Sequence, residues 1–79
     1  MSAILGHLES GEATPWESVT ASQAREILGM SDSTKGFVAG ALRSSDVRRY
    51  ITTTEGGRFI DLFNRADVEA LADRMGGVS

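Results

Sequence analysis

The chain has no cysteine, and only one proline, one histidine, one tryptophan and one tyrosine. Without cysteine, neither a disulfide nor a zinc–thiolate site can staple the fold. His7 has no second histidine or cysteine to complete a metal site, so a surface role is expected for it. No stretch approaches the ~20 apolar residues of a membrane-spanning helix. There is no Gly-rich phosphate loop, and the carboxylates fall on expected solvent faces or helix caps. No pair of titratable groups is set to perturb each other in a cleft, so no catalytic residue, cofactor or metal is expected and the chain does not read as an enzyme. The first residues, Met-Ser-Ala-Ile-Leu-Gly-His-Leu-Glu, lack the basic start of a signal peptide. The expected location is the cytoplasm of a prokaryotic cell, including one that carries a phage.

What is present suits one small domain, residues 1–79, with 41% apolar residues and a net charge of −3. The charge is unevenly spread. Residues 1–33 set Arg25 against Glu9, Glu12, Glu17, Glu26 and Asp32, a net of −4. Residues 34–65 set Lys35, Arg43, Arg48, Arg49, Arg58 and Arg65 against Asp46, Glu55 and Asp61, a net of +3. Residues 66–79 return to −2. A basic middle between acidic ends suggests one basic face.

Local signals mark the elements. Ile4, Leu5 and Leu8 share a helical stripe, which predicts a first helix from Ser2 to about Ser10, ended by Gly11. Thr14-Pro15-Trp16-Glu17 predicts a short turn anchoring Trp16. Thr20-Ala21-Ser22-Gln23 starts a helix from about 21 to 29, with Ala24, Ile27 and Leu28 inward and Gly29 as its stop. Met30 to Ser33 form a turn, and a further helix follows at about 33 to 45. Thr34, Phe37, Val38, Ala41, Leu42 and Ser45 share its inner face, while Gly36, Ala39, Gly40 and Arg43 share its outer face with Lys35 on the flank. Residues 50–54 and 58–63 carry strand chemistry. Gly56-Gly57 predicts a two-residue hairpin loop, with Glu55 facing Arg58, Ile51 facing Leu62, Thr53 facing Ile60 and Tyr50 facing Phe63. Both hairpin faces carry apolar residues, so pattern does not fix the buried one. Asn64 and Asp67 then cap a last helix running to about Met75, with Val68, Leu71, Ala72 and Met75 as its stripe and Gly76-Gly77 as its end.

Three helices followed by a Gly-tipped hairpin resembles the winged helix-turn-helix family, over residues 2–63, with the helix at 65–75 as an addition. Ala24-Arg25-Glu26-Ile27-Leu28-Gly29-Met30-Ser31 looks like that family's Ala-x-x-Leu-Gly-hydrophobic-Ser signature. Ser33, Thr34, Val38, Ala41 and Leu42 look like the start and inner face of its recognition helix. The implied fold is α+β and mostly helical, with a two-stranded β-hairpin wing. The implied partner is double-stranded DNA, with the helix after the turn in the major groove and the wing on the backbone or minor groove. By position, the implied DNA-binding residues are Ser33, Lys35, Gly36, Ala39, Gly40 and Arg43. Arg48 and Arg49 would contact phosphates, and Arg58 would contact DNA from the wing.

The sequence departs from the pattern on the outer helix face. Only Arg43 there can make a bidentate base contact. The two helical glycines each cost about 1 kcal/mol relative to alanine. Close approach of DNA, close approach of a second helix, close packing within the fold or mere tolerance would each account for them. Four to six phosphate contacts would give a salt slope of roughly −4 to −5.

Two functions follow. One is a small transcriptional regulator or excisionase-like DNA-binding factor of a phage, plasmid or other mobile element. The other is a phage-encoded, protein-binding inhibitor, such as an anti-CRISPR protein that blocks a host CRISPR-Cas effector complex. The last helix either packs on its own hairpin, which is the expectation, or pairs with a second copy to form a homodimer.

Overall fold

The computed structural model describes residues 3–9 and 12–75. The chain runs β1 (Ala3–Leu8), β2 (Ser18–Val19), α1 (Ala21–Ile27), α2 (Lys35–Arg43), β3 (Arg48–Thr53), β4 (Phe59–Asn64) and α3 (Arg65–Arg74). The strands form one mixed sheet in the order β1-β3-β4-β2. β1 runs parallel to β3, whereas β4 is antiparallel to both β3 and β2.

This corrects the expected mostly helical winged helix-turn-helix. The hairpin is the middle of a four-stranded sheet rather than a two-stranded wing, and three short helices cover that sheet. The first element is a strand, not a helix. The stripe of Ile4, Leu5 and Leu8 suits a helix, but Ile4 and Leu8 alone also suit one face of a strand, and pairing with β3, far along the chain, decides between them. Ser2, Ser10, Gly11, Gly76 and Gly77, which bounded the expected terminal helices, lie outside the described residues.

Capping chemistry places the helices. Thr20 and Gln23 form a reciprocal capping box at the start of α1. Gly29, at φ 70°, ends α1: its N–H donates to the Glu26 carbonyl and the Met30 N–H donates to the Arg25 carbonyl. That pair of bonds is a Schellman motif, and it requires the left-handed residue that glycine supplies. Thr34 caps α2, its hydroxyl accepting from the Phe37 N–H. Asn64 caps α3 by accepting from the Asp67 N–H at 2.9 Å.

The core lies between the helices and one sheet face. Phe63, Leu42, Val38, Val47 and Val68 are fully buried, with Val19, Ala24 and Leu71 beside them. Phe37 instead lies 61% exposed, because α2 starts at Lys35 and the inward positions are Val38 and Leu42, one turn apart.

The hairpin loop has three residues, not two. Thr54 N–H donates to the Arg58 carbonyl, Gly57 N–H donates to the Thr54 carbonyl, and Gly57 takes φ 79°. The extra loop residue shifts the register by one relative to the expected pairing. Arg49 faces Phe63, Tyr50 faces Leu62 and Ile51 faces Asp61. A shift of one exchanges the partners on both faces. Phe63 therefore lies on the core side with Arg49 and Asp61, while Tyr50 points to the opposite side. There Trp16 packs on Tyr50, ring centres 5.2 Å apart, and the Arg48 guanidinium lies 5.0 Å from the Trp16 ring centre.

Candidate nucleic-acid interface

The outer face of α2 is open. Gly36 and Gly40 are exposed, and a β carbon added at either would meet nothing within 4 Å among the described residues. Close packing among the described residues therefore does not account for these glycines. Ala39 is half-buried on the same helix, and Lys35 stands exposed in its first turn. Ser33 lies in the turn before the helix, half-buried, its carbonyl accepting from Arg25 Nη1 at 3.0 Å. That bond ties the end of α1 to the approach to α2.

The tip of the β3–β4 hairpin comes close to the start of α2. Lys35, Arg58, Phe59 and Ile60 line an open groove of about 400 Å³, closed on its third side by Thr20, Ala21 and Ser22 of α1 and its cap. The one-residue register shift matters here, because Glu55 does not pair across the tip with Arg58. Among the described residues, Lys35 and Arg58 form no ion pair. Phe59 is 74% exposed, and its ring lies edge-to-face with that of His7, centres 6.1 Å apart; His7 also hydrogen-bonds the Thr53 hydroxyl at 2.7 Å.

The other basic candidates are held by carboxylates. Arg43 reaches Asp61 at 2.7 Å, and Arg49, largely buried, reaches the same oxygen at 3.0 Å. Arg48 grips Asp67 from both its side chain and its backbone N–H. The hydrogen bond from Arg48 holds the Asp67 carboxyl below its ordinary value and raises the Arg48 guanidinium above its own. Arg65 bridges Glu69 and Glu17, joining α3 to the segment before β2.

Thus Lys35 and Arg58 share one groove at the start of α2, while Arg43 and Arg49 are held by Asp61 and Arg48 by Asp67. Sequence reasoning missed Thr20, Ser22, Phe59 and Ile60 as groove residues. It also missed Asp61 and Asp67 as partners. An exposed aromatic beside a hairpin glycine was the signal available for Phe59. Nothing local signals pairings that join residues so far apart in the chain.

Among the described residues, no three His, Asp or Glu side chains gather as a metal site, and no helix is long and apolar enough to cross a membrane. No family model, characterised protein or solved structure matches the chain.

Proposed function

We propose that this protein binds double-stranded DNA through the open face of α2 and the groove beside it. In this reading it acts in the cytoplasm as a small transcriptional regulator or an excisionase-like factor of a phage or mobile element. The observation that carries the reading is the convergence of Lys35 and Arg58, neither in an ion pair among the described residues, from two separate elements onto one groove. A groove with two unpaired cations beside an unobstructed helix suits a phosphate backbone, which draws affinity from cations that release counterions. The exposed glycines of α2 support the same reading, since they allow a partner to approach the helix backbone closely.

The ion pairs revise the expected strength. Two free cations give a salt slope near −2, and one further released arginine gives near −3. The reading is tested by fluorescence anisotropy with a labelled duplex at low and rising salt. Binding that weakens with salt is the expected result, and no binding to any duplex at low salt overturns it.

A second reading, a protein-binding inhibitor of the anti-CRISPR kind, is favoured by the exposed rings of Phe37 and Phe59 and by the neutralised arginines. Failure to bind DNA together with capture of a host defence complex would favour it over the first.

A further inference from the structure

Asp61 holds more cation than one carboxylate needs. Its Oδ2 accepts from Arg43 Nη2 at 2.7 Å and from Arg43 Nε at 3.2 Å, and Arg49 Nη1 lies 3.0 Å from the same atom. The two guanidinium groups are held differently. The Arg49 side chain is 13% exposed and stands beside Asp61 on the core-facing side of the sheet, while the Arg43 side chain is 54% exposed at the end of α2. We infer that Asp61 holds Arg43 in reserve, as an internal stand-in for a DNA phosphate, and releases it when a duplex arrives.

This inference rests on the DNA-binding reading above. Its physical basis is the cost of opening each pair. Breaking a buried pair is expensive because it strands an uncompensated charge. When Arg43 leaves, Asp61 keeps Arg49, so no carboxylate is stranded. The Arg43 end of the pair is exposed, so its release buries no charge and leaves the guanidinium in solvent or on a phosphate. Both Arg43 bonds fall on one Asp61 oxygen, and a phosphate oxygen can accept the same two donors.

The remaining pairs lack this arrangement. Asp67 has no second arginine within ion-pair distance among the described residues, so releasing Arg48 would strand it. Arg65 has two carboxylates, a surplus of acid rather than of cation. Among the paired arginines, Arg43 is the one that leaves at least cost, and it projects from the helix proposed to meet DNA.

The test measures anisotropy of a short random-sequence duplex with wild type, Asp61→Asn, Arg43→Gln, the Asp61→Asn/Arg43→Gln pair, and Glu69→Gln. Glu69→Gln removes the same charge at a site away from α2. Asp61→Asn should bind on the order of threefold tighter, because its Arg43 has no carboxylate to leave. Arg43→Gln should weaken the wild type by less than about twofold, yet abolish the gain in the Asp61→Asn background. A gain no larger than that of Glu69→Gln, or one that survives loss of Arg43, overturns the inference. Loss of Arg49's partner could unfold Asp61→Asn, so a second readout uses the wild-type chain. On titration with duplex, the Arg43 Nε–H NMR signal should shift while that of Arg49 stays in place; an unmoved Arg43 signal in the bound protein overturns the inference. Absence of binding by wild type and variants alike overturns the DNA reading and this inference with it. Binding by wild type with either failure above overturns the inference alone.

Discussion

Asp67 shows how single side chains set both the fold and its response to acid. It receives the Asn64 cap on its N–H and holds Arg48 with both carboxylate oxygens. Arg48's hydrogen bond lowers its folded-state pKa. A lowered carboxylate pKa contributes stability above the unfolded value of about 3.9 and loses it as pH falls through the folded value. Asp67→Asn should therefore be less stable than wild type at neutral pH, with the gap closing as pH drops below about 4. Urea midpoints at neutral and acid pH measure this, and a gap independent of pH would argue against the pairing. Much at this scale was legible in the sequence. The Thr20–Gln23 box, the Gly29 stop and the Asn64–Asp67 cap are each encoded within a few residues. The Arg43–Asp61 and Arg48–Asp67 pairs were not, because they form only once α2, β4, β3 and α3 have met.

At the scale of elements, α2 combines a buried stripe of Val38 and Leu42 with an outer face interrupted by Gly36 and Gly40. Neither glycine has a packing reason among the described residues. Each replacement by alanine should stabilise the free protein by roughly 0.5–1 kcal/mol, read from thermal or urea denaturation. The same changes should weaken DNA binding, because the added methyls hold the helix backbone away from its partner. Stabilisation without any loss of binding would mean that the open face of α2 is not the contact surface. The inner stripe of this helix was legible from its period. The exposure of Phe37 was not, since it depends on where the core ends rather than on spacing. Likewise, β1 lacks a local signature strong enough to separate strand from helix, and the hairpin register turned on which glycine took the left-handed conformation.

At the scale of the molecule, one core layer supports the whole arrangement. Phe63 lies at its centre, fully buried beneath the helices, on the strand that also carries Asp61 and ends at the cap of α3. Phe63→Ala should cost about 3–5 kcal/mol, a large share of the stability of a domain this small. Circular dichroism should show a largely unfolded variant at ambient temperature; a cooperative, near-wild-type transition would mean the core is centred elsewhere. The sheet that Phe63 anchors was only half legible, since its central hairpin is local while β1 and β2 join from a distance. The same layer brings Lys35 and Arg58 together across a groove from opposite ends of the basic middle segment.

The salt dependence of duplex binding tests that convergence most directly. The wild-type protein should bind with a slope of log affinity against log salt near −2 to −3, and Lys35→Ala/Arg58→Ala should lose about two units of slope and most of the affinity. A double variant that binds with the wild-type slope, or a wild type that binds no duplex at low salt, would contradict the account.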